Sequence, residues 1–186
     1  MHIHKKTHPG HRRTKAVLSL AAAAVLAAVA SAPAEAGNGG TGASLTKAPT
    51  GHAKLVHGKA IPPSDAPSKV VKVIEAANRI RNKPYKWGGG HGRWNDSGYD
   101  CSGSVSYALH GGRLLGSPLD SSGFMRWARG GKGHWITVYT NPGHAFMVVA
   151  GLRFDTSQTA GNGPGWSKNV HAERLSDFRK RHKARY

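Results

Sequence analysis

The chain holds a single cysteine, Cys101, in the run Gly98-Tyr99-Asp100-Cys101-Ser102-Gly103. A thiolate attacks a carbonyl carbon far better than a thiol, so a working cysteine needs surroundings that favour negative charge. The residues that follow carry Val105, Ala108 and Leu109 at helical spacing and stop at Gly111-Gly112, which predicts a helix over 102–110 with Cys101 at or just before its N-terminus. There the unpaired backbone N–H groups of Ser102 and Gly103 would stabilise a thiolate and hold the oxyanion of a tetrahedral intermediate. Gly103 is also small enough for a substrate backbone to approach. The same residues equally describe an ordinary capped helix start, with Asp100 or Ser102 bonding backbone donors and Cys101 merely packed.

A cysteine nucleophile also needs a base, itself oriented by a third polar group. Of the twelve histidines, His2, His4, His8, His11, His52 and His57 lie in the N-terminal segments. His144 opens an apolar strand after Pro142-Gly143, and His134, which also opens one, competes for the role. If Ala150-Gly151 is a two-residue hairpin turn, Val149 faces Leu152 and Phe146 faces Asp155, and Asp155 then lies diagonally across from His144 on the same sheet face. A slip of one residue would turn Asp155 to the other face. The bland alternative makes His144 an exposed strand start and Asp155 a turn residue. Metal chemistry has no foothold, because no His-Glu-x-x-His run exists and one cysteine cannot build a thiolate-rich site. No metal and no cofactor are expected.

The elements that must position these residues follow from pattern. Ser64 or Asp65 can cap a helix, Pro67 suits its first turn, and Val70, Val73, Ile74, Ala77 and Ile80 repeat at the spacing of one buried face, with an end near Asn82 before Pro84. Residues 84–100 are too glycine-rich for regular structure. Residues 120–129 suggest a short helix, and 134–140, 143–150 and 152–156 read as strands separated by turn residues. Helices followed by antiparallel strands predict an α+β domain over 64–186. Its last segment, 171–186, is charged and is expected as a surface helix or a basic tail.

The first residues carry five Lys/Arg and no acid, then an apolar stretch over 16–30, then small residues around Ala34-Glu35-Ala36. That order predicts a secretory signal peptide over 1–36; the alternative, a transmembrane anchor, is disfavoured by the short, alanine-rich apolar run. Residues 37–63, rich in Gly, Pro, Thr and Lys, are expected as a flexible linker. The formal charge is +18, and losing the leader removes five positive charges and one negative, so the remainder stays strongly basic. Such a charge favours polyanions without specifying which one; wall polymers are the expected partners of an exported chain. No nucleic-acid recognition module is visible and none is expected. After leader removal no membrane span is expected, and the mature protein is expected to be a secreted or wall-associated monomer.

Pro84-Tyr85-Lys86-Trp87-Gly88-Gly89-Gly90, Asp100-Cys101-Ser102-Gly103-Ser104-Val105 and Gly143-His144-Ala145-Phe146-Met147-Val148-Val149-Ala150-Gly151, in that order, resemble the NlpC/P60 family of bacterial cell-wall cysteine peptidases over residues 67–160. The resemblance implies a papain-like α+β fold, with the cysteine on a helix N-terminus against a sheet that carries the histidine. It implies cleavage of peptidoglycan stem peptides, commonly at the D-γ-glutamyl-diamino acid bond, with Cys101 as nucleophile and His144 as base. Tyr85 would line the site, and Asp100 and Ser102 would help hold the stem peptide. The family usually shows His, Asn or Gln at the third catalytic position, where this chain offers Asp155. His110 and Phe146 also depart from the commoner pattern, and His91 is expected as a surface loop residue. An acyltransferase or amidase on the same fold, and a basic wall-binding module without turnover, stay open as alternatives.

Overall fold

Val70, Val73, Ile74, Ala77 and Ile80 form the buried face of helix α1 (Ser68–Ile80) in the computed structural model. The described residues are 51–186 without Gln158, Ala160, Gly161, Ala172 and Glu173. The expected signal peptide and residues 37–50 of the expected linker lie outside them. Neither Ser64 nor Asp65 caps α1. Pro67 takes the N-cap position, and Asp65 accepts instead from the Gly51 backbone N–H at 3.2 Å.

Residues 54–61, within the expected linker, form a hairpin of β1 (Lys54–Val56) and β2 (Lys59–Ile61), turned by His57 and Gly58 at positive φ. The cause is one side chain distant in sequence. Asn78, buried on α1, accepts from the Ala60 N–H at 3.0 Å and donates to the Ala60 carbonyl at 2.8 Å, and its oxygen also accepts from the Trp166 indole N–H at 3.0 Å. A buried amide with partners on both its groups ties the hairpin, α1 and the sheet into one unit.

Helix α2 (Cys101–Gly111) packs on α1 through Val105, Ala108 and Leu109. A Cβ on Gly111 would come within 2.4 Å of the Ala76 methyl, so glycine is what lets the helices close. The helix ends in a paired closure, Leu114 N–H to Leu109 O (2.9 Å) and Arg113 N–H to His110 O (2.8 Å). The left-handed residue of that closure, normally glycine, is Arg113 at φ 56°.

A short helix α3 (Ser121–Phe124) follows, capped by Asp120. It is shorter than the helix expected over 120–129, because its later N–H groups bond three residues back until Ala128 turns to φ 49°. The sheet comprises β3 (Arg129–Gly130), β4 (Ile136–Asn141), β5 (His144–Val149), β6 (Leu152–Asp155), β7 (Gly165–Ser167) and β8 (Arg179–His182), all neighbours antiparallel, in the order β3-β8-β4-β5-β6-β7. The expected α+β arrangement, helices on an antiparallel sheet, is the one observed. Ala145, Met147, Val149, Leu152 and Phe154 face the helices in the main core. On the other face Tyr139, Phe146 and Phe178 form a second cluster, flanked by Val148 and Leu175.

The C-terminal segment is neither a surface helix nor a tail. After a 3-10 turn at Leu175–Asp177 it enters the sheet as β8, pairing Val138 with Arg181, Tyr139 with Lys180 and Thr140 with Arg179. Strand pairing uses backbone groups, so a run of basic residues can supply the partner that the free edge of β4 requires, while the charged side-chain ends stay in reach of water. Arg181 adds bonds to the carbonyls of Trp127 and Ala128 at 2.5 and 2.7 Å.

Replacing the buried amide tests the hairpin's anchor. Asn78→Leu leaves two groups of Ala60 and the Trp166 N–H without their partner, and should lower stability by about 3 kcal/mol in urea unfolding. Unchanged unfolding would mean that Asn78 does not hold the hairpin.

Candidate active site

Asp100 caps α2 in extended conformation, its Oδ1 accepting from the Gly103 N–H at 2.7 Å. The same oxygen meets the His91 Nε2 at 3.0 Å and the Ser102 hydroxyl at 3.3 Å, while Oδ2 accepts from the Gly88 N–H at 3.0 Å. Burial pushes the Asp100 carboxyl up in pKa, but the His91 hydrogen bond and the Gly103 and Gly88 N–H groups outweigh it and hold the group ionised below its ordinary range. The glycine loop is drawn onto the helix tip: a Cβ on Gly103 would lie 2.0 Å from the Gly89 carbonyl oxygen. Two expectations change here. The Gly103 N–H is taken by the cap and is not open to an oxyanion, and its small side faces Gly89 and not a substrate. Of the two N–H groups expected to face an oxyanion, it is that of Ser102 which Asp100 does not engage.

Cys101, half-buried, stands at the first position of α2. Burial pushes its thiol up, yet hydrogen bonds from His144 and from the Ala145 N–H, with the imidazolium charge, more than offset that and leave the pKa below the ordinary thiol value. The imidazole beside the sulfur belongs to His144; His134 is exposed and precedes β4. Burial pushes His144 down, but the hydrogen bonds to Asp155 and Cys101 override it and raise the group to about 10. This is the pattern of a thiolate–imidazolium pair.

The hairpin register that joins His144 to Asp155 is the expected one. Val149 pairs with Leu152 around Ala150-Gly151, both at positive φ, and His144 Nε2 lies 2.9 Å from Asp155 Oδ1. That leaves the other imidazole nitrogen for the sulfur. Asp155 is fully buried and heavily bonded: Arg153 donates to Oδ2 through Nε (2.9 Å) and a terminal nitrogen, the Ser157 hydroxyl donates to Oδ2 (2.9 Å), and the Thr156 and Ser157 N–H groups reach Oδ1 at 2.6 and 3.2 Å. Burial alone would raise its pKa, but His144 and Arg153 lower it.

Arg153 was not among the expected site residues. It is fully buried, with its guanidinium carbon 3.7 Å from the centre of the Phe146 ring. The signal was present in the period of two: Arg153 and Asp155 share one face of β6, with the apolar Leu152 and Phe154 on the other. His91 is likewise not a free loop residue. Half-buried against Asp100 and 3.3 Å from the Ser102 hydroxyl, its imidazole is raised in pKa, chiefly by the Asp100 hydrogen bond and against the effect of burial.

Tyr85 is exposed, and its hydroxyl pKa is raised by burial first and then by the charges of Cys101 and Asp100. Trp87, 86% exposed, stands next to Gly88 on the same loop. The departures at His110 and Phe146 are accounted for by packing: His110 stacks on Trp94 at 3.8 Å and bonds the Leu115 carbonyl, and Phe146 stacks on Tyr139 at 4.9 Å. Among the described residues no three His, Cys, Asp or Glu side chains gather as metal ligands, and no helix is long and apolar enough to cross a membrane.

No family model matches the chain, and no curated protein matches it. Solved structures similar to it include the peptidoglycan hydrolase RipB from Mycobacterium tuberculosis (25% identity, covering 65% of this chain and 68% of that one, TM-score 0.48). A hypothetical invasion protein of Mycobacterium tuberculosis is 18% identical over 68% of this chain and 67% of its own, with a TM-score of 0.48. The P60 domain of an antigen from M. avium subspecies paratuberculosis is 22% identical over 61% of this chain and 93% of its own, with a TM-score of 0.46. The chain is similar to these structures of the NlpC/P60 type.

Proposed function

We propose that the protein is a secreted cysteine peptidase that hydrolyses peptidoglycan stem peptides, with the D-γ-glutamyl-diamino acid bond as the bond cut. The observation that carries this reading is the His144 imidazole, 2.9 Å from the buried carboxylate of Asp155 and raised in pKa by both Asp155 and Cys101, with Cys101 at the tip of a helix. The three ordered NlpC/P60-like motifs supply the substrate class.

In this reading the Cys101 thiolate attacks the amide carbon, and the carbonyl oxygen takes the negative charge beside the first-turn N–H of Ser102. His144, already protonated, gives its proton to the leaving amine as the carbon–nitrogen bond breaks. The neutral imidazole then takes a proton from water, whose oxygen attacks the thioester, and the thiolate leaves. Asp155 stays ionised throughout and favours the imidazolium. With both Asp100 oxygens engaged inside the protein, contacts to the stem peptide fall to the Ser102 hydroxyl, His91 and Tyr85.

Cys101→Ala should abolish muropeptide cleavage, read by mass spectrometry of wall fragments; unchanged cleavage would sink the mechanism. With a soluble stem-peptide substrate, the wild-type rate should fall in acid, where the thiolate takes up a proton, and again in alkali as His144 loses its proton near 10. Asp155→Asn removes the charge that raises His144, so the alkaline limb should move to lower pH and kcat should drop by about 10²–10⁴-fold. An unmoved alkaline limb would exclude Asp155 as the orienting group. Arg153→Met breaks a buried pair and should lower stability by about 3–5 kcal/mol, measured by chemical unfolding.

A further inference from the structure

We propose that a groove at the opposite end of α2 from Cys101 binds a linear phosphodiester polymer that carries no bases, the chemistry of a polyol-phosphate chain. Helix α2 spans about 16 Å at 1.5 Å per residue, so the groove is separate from the candidate active site. Two adjoining depressions, of about 500 and 380 Å³, share Arg113, Leu114 and Lys183 in their walls; Lys69 and Arg129 line the first. No Asp or Glu lines either. Among the described residues the carboxylate ion pairs go to Lys86, His91, Arg93, His144 and Arg153, and to none of these four cations.

Two of the four charges stand where the fold alone disfavours them. Arg113 occupies the left-handed position that closes α2, at φ 56°, where glycine is unstrained and an L side chain is not. Lys69 lies in the first turn of α1, which has no acidic residue and whose exposed N–H groups repel a cation. Unrelated elements, the start of α1, the end of α2, β3 and the residue after β8, thus converge four like charges on one concave surface. A ligand with several negative charges relieves that repulsion.

The ligand class follows from side-chain chemistry. Arg113 and Arg129 present planar forks suited to phosphate oxygens, and Lys69 and Lys183 add point charges. Few aromatic rings stand at the groove: Tyr186, with the Lys69 ammonium 5.9 Å from the centre of its ring, and His110, whose ring stacks on Trp94. Single-stranded nucleic acid relies on aromatic faces for its bases, which favours a polymer without them. Spaced charges along a flexible chain fit a groove that runs on from one depression into the next.

The test uses the full chain carrying Cys101→Ala, so that turnover plays no part and a failure here is distinct from a failure of the peptidase reading. Binding to poly(glycerol phosphate) is measured by calorimetry across a salt series, with single-stranded DNA of equal charge as competitor. Adding Arg113→Glu and Lys183→Glu should weaken binding by about tenfold or more and reduce the salt slope by about one per cation removed. Lys69→Glu places an acid where the start of α1 favours one, so its folding is secure, and it should weaken binding too. Lys54→Glu with Lys59→Glu makes the same charge change on the β1–β2 hairpin and should have less than about a third of the effect of the groove pair. Equal loss from both pairs would show a diffuse charge effect and overturn the groove; so would DNA that displaces the polymer at equal charge, or a Lys69→Glu protein that binds normally.

Discussion

A carboxylate sealed from water is expensive unless every lone pair finds a donor, and Asp155 meets that demand with partners from its own strand, its own turn and the facing strand. Arg153, Asp155, His144 and Cys101 form a row that runs from the buried outer face of the sheet to the helix tip. Along it Asp155 and Cys101 are lowered in pKa and His144 is raised, each by its neighbours. The requirement reaches into the scaffold: the tight turn at Ala150-Gly151 sets the register, Phe146 supplies a ring face for the guanidinium, and Phe178 closes over Phe146 at 5.2 Å.

At the helix tip a second carboxylate does a different job. Asp100 gathers the Gly88 amide, the Gly103 amide, His91 and the Ser102 hydroxyl around two oxygens, and so fixes the glycine loop against the first turn of α2. Neutral hydrogen-bond donors and one imidazole surround it, in place of the strong cation that Asp155 has in Arg153. The two acids therefore separate the tasks of shaping the cleft wall and orienting the imidazole. Glycine at 89 and 103 is a packing requirement of this arrangement, since backbone meets backbone there.

Much of this was legible in the order of residues. The buried stripe of α1, the helix after Cys101 and the pairing of Val149 with Leu152 depend on local period and turn chemistry, which a sequence displays directly. What stayed hidden depends on contacts between distant segments. The hairpin at 54–61 reads as linker because its stability lies in Asn78 and not in its own composition. Residues 179–182 read as tail because a basic run lacks the apolar alternation of a strand, while the need for it sits forty residues earlier on β4. His91 reads as a loop residue because its partner, Asp100, is brought to it by the folding of the glycine run.

The position of β8 in the sheet sets an order of assembly. A polypeptide that emerges from its amino end presents β4 to β7 before residues 175–182 are available, yet β8 lies between β3 and β4, and Phe178 shields the aromatic floor beneath Arg153. Until that late segment arrives, β4 has a bare edge and the guanidinium's neighbourhood is open to water. The surroundings of Arg153, Asp155 and His144 are therefore complete only once residues 175–182 are available, so a partly threaded chain carries Cys101 without the finished environment of its imidazole neighbour.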